Sequence, residues 1–209
     1  MRMRSNALCW NPMEAFNFTI ANEDQNLYTY DMRNLERALW VHKDHVSAVL
    51  DIDYSPTGRE FVSGGYDKSL RLWNVDQGKS REVYHTKRMQ RIFCVKYSMD
   101  GKFVLSGSDD TNIRVWKSIA NDRLGVLLPR QKQKIEYESK LKERYQHLPE
   151  IRRISKHRNL PRTIYKTRKL KEVMDASDRK KIENRRNHSK PGTVPYKSER
   201  KKHIIAKED

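Results

Sequence analysis

Short stretches of alternating apolar and polar residues recur through the first 129 residues and predict β-strands. Val49–Tyr54 (VLDIDY) and Ile92–Tyr97 (IFCVKY) alternate in this way, and a turn follows each of them. After a further short strand and a second turn, the segments Leu70–Trp73 and Ile113–Trp116 again have the composition of strands. The pattern therefore predicts two similar series of short antiparallel strands.

These two series are copies of one repeat. The segments Tyr54–Trp73 and Tyr97–Trp116 align without a gap at a spacing of 43 residues. One more step back places Asp24, Leu27 and Tyr30 in register with the two later copies, so that Trp10–Met32 is a third, more diverged copy. Four short strands in about 43 residues are typical of a β-propeller blade.

The polar residues of the copies resemble those of the WD-repeat family. In that family a His before the first strand, a Ser or Thr on the second, an Asp in the next turn and a Trp on the third form a buried hydrogen-bonded network. The middle copy has the full set, and the last copy has all but the His, since Arg88 stands in its place. The matching residues are His45, Ser63, Asp67 and Trp73, then Ser106, Asp110 and Trp116. A hydrolase triad is the alternative, but a catalytic triad would not recur at the repeat period.

The predicted fold is an all-β partial WD-repeat propeller of about three blades, followed by an α-helical basic C-terminal extension. The blades are expected at about 1–40, 41–84 and 85–128, and the extension at 129–209. Propellers usually need four to eight blades to close a ring, so we expect the chain to be a fragment or a shortened isoform.

Charge separates the two parts. Of the net charge of +17, residues 1–129 contribute +2 and residues 130–209 contribute +15. In the basic part, prolines 129, 149 and 161 mark plausible helix starts. A one-signed excess favours phosphate binding, with a solvated helical face as the alternative. The predicted RNA contacts are Arg152, Arg153, Lys156, Arg158, Arg162, Lys166, Arg168, Lys169, Arg179, Lys180, Lys181, Arg185, Arg186, Lys190, Arg200, Lys201 and Lys202.

The basic part also resembles the C-terminal domain of the Sof-one-like WD-repeat proteins. The strings PEIRRISKHRNLP and ENRRNHSKPG carry this resemblance. It implies a scaffold of the nucleolar small-subunit processome, with pre-rRNA, a small nucleolar RNP and processome proteins as partners and a role in 18S rRNA maturation. Nuclear and nucleolar localisation follows from the same resemblance.

Animal members of that family are also implicated as substrate receptors of a cullin–RING ubiquitin ligase. They dock the ligase adaptor through a Trp-Asp-x-Arg motif. Here the closest match is Tyr30, Asp31 and Arg33, with Tyr in place of Trp. A strand end with a solvated Arg explains the same four residues equally well, so the receptor role is the alternative function.

Signals for catalysis, cofactors and membranes are missing from the sequence. It has no GxxxxGK[ST], no GxSxG and no Cys/His cluster with metal spacing. Its two cysteines make no disulfide framework, and no run of about 18 apolar residues occurs. We therefore expect a non-catalytic protein without cofactor, metal, membrane partner or small-molecule substrate.

Overall fold

The computed structural model, which describes residues 1–206, contains three antiparallel β-sheets followed by three α-helices. This arrangement confirms the predicted fold class of unclosed, blade-like sheets with a helical C-terminal part. The first sheet has strand order β1-β2-β3-β4 and the middle sheet β5-β6-β7-β8. The strands of the first sheet are β1 (Ser5–Trp10), β2 (Asn17–Asn22), β3 (Asn26–Asp31) and β4 (Trp40–Lys43). Those of the middle sheet are β5 (Val49–Tyr54), β6 (Glu60–Gly65), β7 (Leu70–Asn74) and β8 (Ser80–Tyr84).

The third sheet is one strand shorter than the repeat predicts. It consists of β9 (Ile92–Tyr97), β10 (Phe103–Ser108) and β11 (Ile113–Lys117), with β10 in the centre. One repeat after β8 the sequence reads RLGVL, residues 123–127, and no strand forms there. Gly125 stands in the middle of this stretch, and a glycine inside a strand weakens it because it offers no side chain to pack.

Tight turns join the first two strands of the middle and third sheets. Gly58 and Gly101 have φ of +67° and +68°, a conformation that side chains with a Cβ rarely adopt. At Gly58 space is limiting as well, because a Cβ would lie 2.5 Å from Asn11 Oδ1. The two copies thus share a glycine where the turn requires a positive φ, as well as the hydrophobic pattern of the strands.

The middle sheet is covered by apolar side chains on both faces. On one face Phe61 and Trp73 pack in a cluster with Ala21 and Leu27 of the first sheet. On the other face Val62, Leu70 and Leu72 pack against Ile92, Val95 and Val104 of the third sheet. The outward side chains of the third sheet are exposed instead, with Ile113 at 76% and Val115 at 61%.

The helices begin close to the predicted prolines. They are α1 (Pro129–Tyr145), α2 (Pro149–Lys156) and α3 (Arg162–Asn187). Pro129 and Pro149 occupy the first turn, where a missing backbone N–H costs nothing, and Pro161 caps α3. The described chain forms two compact units: residues 119–159, with α1 and α2, and the remainder, in which α3 and the C-terminal segment join the sheets.

Candidate nucleic-acid interface

The buried polar network of the middle sheet joins the four residues that the repeat singles out. His45 Nδ1 lies 2.8 Å from Asp67 Oδ2, and His45 Nε2 lies 2.7 Å from Ser63 Oγ. The indole N–H of Trp73 donates to the same hydroxyl at 2.8 Å. Burial raises the pKa of Asp67, but the hydrogen bond from His45 and the charge of Arg71 outweigh it and hold the pKa at about 2. Each polar group in this chain of bonds thus has a partner, as a buried network requires.

The third sheet keeps only part of this network. The Trp116 indole donates to Ser106 Oγ at 2.8 Å, as in the middle sheet. Asp110 does not join them, because its carboxylate accepts hydrogen bonds from Arg114 and Ser108 at the sheet surface. Arg88, at the position of the missing His, is exposed.

In the first sheet, a histidine from the C-terminal segment lies against the equivalent strand. Tyr30 is at the Trp position of this copy, and its hydroxyl is hydrogen-bonded to His203 Nε2. The His203 ring also stacks on Tyr28 with 3.7 Å between ring centroids. Burial lowers the pKa of His203, which favours the neutral imidazole. Sequence reasoning missed this contact, and the only signal for it is that the first copy has no His of its own.

Helix α3 is attached to the sheets by three side chains. Ile164 is buried at 5% exposure, and Lys171 Nζ donates to Gln25 Oε1 at 2.8 Å. Arg168 Nη1 lies 3.4 Å from Asp44 Oδ1, and that aspartate also faces the buried Arg71 at 3.7 Å. Arg168, which the charge pattern predicts as an RNA contact, thus lies in an ion pair at the helix–sheet junction.

Most other predicted RNA contacts leave their charged groups at the surface. The exposed ones are Arg152, Arg153, Lys156, Arg162, Lys166, Lys169, Arg179, Lys180, Lys181, Arg185, Lys190, Arg200 and Lys201. Arg158, Arg186 and Lys202 are half-buried. The densest group, which we call the α3 basic cluster, consists of Arg179, Lys180, Lys181, Arg185 and Arg186 on the last turns of α3. Within this cluster Lys181 Nζ lies 3.6 Å from Asp178 at the surface, and the Arg186 guanidinium lies over the Tyr196 ring.

Two predicted RNA contacts of the C-terminal segment lie against the first sheet. The Arg200 guanidinium is 5.5 Å from the centre of the Trp40 ring, and the backbone carbonyl of Arg200 accepts a hydrogen bond from the Ala38 N–H at 3.1 Å. Lys201 Nζ is 4.0 Å from Glu36. Exposed pairs of this kind contribute little stability, so both cations stay accessible to a phosphate.

The residues that match the adaptor-docking motif differ in their accessibility. Tyr30 is buried at 4% exposure. Asp31 accepts two hydrogen bonds from the Arg33 side chain, at 2.8 and 3.0 Å, and one from the Arg33 backbone N–H at 2.9 Å, and these bonds lower the pKa of its carboxyl. The Arg33 side chain is 65% exposed, with its guanidinium 4.6 Å from the centre of the Phe16 ring. The arginine is thus held in one orientation at the surface while the aromatic residue is internal.

Over residues 1–206, no group of three or more His, Cys, Asp or Glu side chains has the geometry to hold a metal ion. In the same part of the chain, no helix is long and apolar enough to cross a membrane.

Comparison with known proteins finds matches in both halves of the chain. Residues 118–204 match the Sof1-like domain, and residues 36–74 and 79–117 match the WD domain, G-beta repeat. The chain is 60% identical over 206 residues to DDB1- and CUL4-associated factor 13 of Xenopus laevis, covering 99% of this chain and 46% of that protein. It is 57% identical over 203 residues to Protein SOF1 of Saccharomyces cerevisiae, covering 97% of this chain and 41% of that protein. The chain thus spans about half the length of the curated relatives it matches.

Proposed function

The chain consists of WD repeats followed by a Sof1-like domain, and from this premise we propose that it is a non-catalytic, RNA-binding scaffold of ribosome biogenesis. It would act in the nucleolus, in the small-subunit processome, where pre-rRNA is processed toward 18S rRNA. The similarity to Protein SOF1 over 97% of the chain supports this role. Pre-rRNA and the small nucleolar RNP are then the acidic partners of the basic residues, and the sheets offer surfaces for processome proteins.

The observation that carries the proposal is the exposure of like charges on the Sof1-like domain. In the α3 basic cluster, Arg179, Lys180, Lys181 and Arg185 are exposed and Arg186 is half-buried. Neutralising a phosphate with such a side chain releases condensed counterions, and this release drives binding without reading sequence. A helix that presents several cations on successive turns meets this requirement.

The proposal is tested with two variants that lose the same number of positive charges from different parts of the molecule. One variant replaces the five residues of the α3 basic cluster with Gln. The matched control replaces five exposed basic residues of the sheet region with Gln: Arg59, Lys79, Lys87, Arg88 and Lys102. Fluorescence anisotropy with a labelled single-stranded RNA should show a loss of at least about tenfold for the first variant and little change for the control.

Equal losses in the two variants would mean that net charge, and not the α3 surface, drives association. An unchanged affinity in the α3 variant would contradict the proposal directly. Circular dichroism of both variants shows whether the folded structure is retained.

A second candidate function is that of a substrate receptor for a cullin–RING ubiquitin ligase. It is supported by the relatives named DDB1- and CUL4-associated factor 13 and by the surface position of Arg33, which Asp31 orients. If this role holds, Arg33→Ala should weaken binding of the chain to purified DDB1, whereas Arg37→Ala, an exposed arginine nearby, should not. Unchanged DDB1 binding by Arg33→Ala would exclude this docking mode and leave the RNA role untouched.

A further inference from the structure

The outward face of α3 carries three exposed apolar side chains in its first half. Leu170, Val173 and Met174 are 62%, 67% and 58% exposed. Their spacing of three and four residues places them side by side on one face of the helix. We call this group the α3 apolar patch. Single exposed apolar residues are ordinary, but a contiguous group on a helix indicates a binding surface.

The contacts of α3 with the sheets fix the direction of this patch. Ile164, Arg168 and Lys171 face the sheets, as their burial, ion pair and hydrogen bond show. At 3.6 residues per turn, the patch falls on the other side of the helix. The patch is therefore not a part of the core that the sheets cover.

Charge determines which occupant fits. Helix α3 contains ten basic and four acidic residues, a net charge of +6. Two of its exposed lysines, Lys166 and Lys169, lie within one turn of the patch. A second copy of α3 would bring like charges together, and aliphatic side chains offer RNA neither stacking nor hydrogen bonds. An acidic amphipathic helix would match both the apolar patch and its basic surroundings.

We propose that the α3 apolar patch is a docking site for an acidic amphipathic helix of a partner protein. The helix would place its apolar face on Leu170, Val173 and Met174, and its carboxylates would pair with Lys166 and Lys169. Helix α3 is thereby divided into two surfaces, a protein-binding first half and the basic cluster at its end. This goes beyond the proposed RNA role and does not depend on it.

The probe for this site is a labelled acidic peptide with leucines at positions i, i+3, i+4 and i+7. A scrambled peptide of the same composition, which carries the same charge without the apolar face, is its control. The full chain should bind the patterned peptide at least about tenfold more tightly than the scrambled one, because only the patterned peptide buries the three side chains. Equal binding of the two peptides would overturn the proposal.

A triple variant, Leu170→Gln, Val173→Gln and Met174→Gln, keeps the charge and the helix propensity of α3 close to those of the original chain. It should lose at least about tenfold in affinity for the patterned peptide while its RNA affinity changes by less than about twofold. Retained peptide binding, or an equal loss of RNA binding, would contradict the proposal. The Gln variant of the α3 basic cluster should show the reverse pattern, so the two proposals fail separately.

Discussion

The middle sheet and the basic helices use charged side chains in opposite ways. In the middle sheet Arg71 is fully buried, with Asp44 and Asp67 within 3.7 and 3.9 Å. Near the end of α3, Arg179 and Arg185 are exposed. A buried charge must be compensated by the protein, whereas an exposed one remains available to an external anion. The burial of a charged side chain, more than the number of charges in a segment, thus distinguishes structural residues from candidate binding residues.

The middle and third copies of the repeat show a related difference, because the equivalent tryptophans Trp73 and Trp116 differ in burial. Trp73 is fully buried where the middle sheet packs on the first sheet, while Trp116 is only partly buried. Trp73→Ala should destabilise the protein by about 3–5 kcal/mol, since it opens a cavity and removes a partner of Ser63. Trp116→Ala should cost less than half as much. Urea unfolding of the full chain measures both, and equal losses would contradict the difference in packing.

A smaller effect is expected from the pH dependence of stability. His42 is fully buried between Thr29 Oγ1 at 2.9 Å and the Gln77 carbonyl at 2.7 Å. Burial lowers its pKa to about 4, although the hydrogen bond to Gln77 opposes the shift. The pKa of His42 is therefore about 4 in the native state, but near its ordinary value of about 6.5 in the unfolded chain. As the pH falls below about 6.5, the unfolded chain is protonated first and is stabilised relative to the native state. Stability should fall by about 3 kcal/mol as the pH is lowered from about 6.5 to 4.

His42→Gln should flatten this pH dependence, because Gln carries both a donor and an acceptor but does not titrate. His188→Gln, at an exposed position, is the matched control and should leave the dependence unchanged. The measurement is the urea midpoint at several pH values. If the urea midpoint of His42→Gln still fell with pH as it does in the original chain, other groups would be responsible for the effect.

The effect on stability should be smallest for the α3 basic cluster. Replacing its residues with Gln is expected to change the free energy of unfolding by less than about 0.5 kcal/mol for each exposed residue, since surface substitutions away from caps and cores rarely do more. The loss should appear in RNA binding instead. A large loss of stability in this variant would show that the cluster supports the fold.

Much of the sheet region could be predicted from the sequence, because its determinants are local and repeat at 43 residues. Alternation predicted β5 and β9, strand-like composition predicted β7 and β11, and the network residues of the middle sheet meet as the repeat suggests. In the third sheet, the repeat did not predict that Asp110 would pair with Ser108 and Arg114, or that no strand would form around Gly125. The repeat indicates which positions are equivalent, but not whether each copy makes the same contacts.

The attachment of the helical part could not be predicted either, because its contacts join residues far apart in the sequence. Tyr30 and His203 are 173 residues apart, and no periodicity relates them. Arg168 lies in the same run of basic residues as its exposed neighbours, yet it forms an ion pair with Asp44. A pattern along one helix indicates which side chains share a face, but not which face the sheets will cover.

The salt dependence of RNA binding tests the central claim, that exposed cations on α3 bind phosphates, most directly. If about six phosphates are neutralised, log affinity plotted against log salt should fall with a slope of about −4 on single-stranded RNA. The slope should be alike for unrelated sequences, flatter in the α3 basic cluster variant and unchanged in the matched sheet variant. Binding that is independent of salt, or equally flattened by both variants, would contradict the claim.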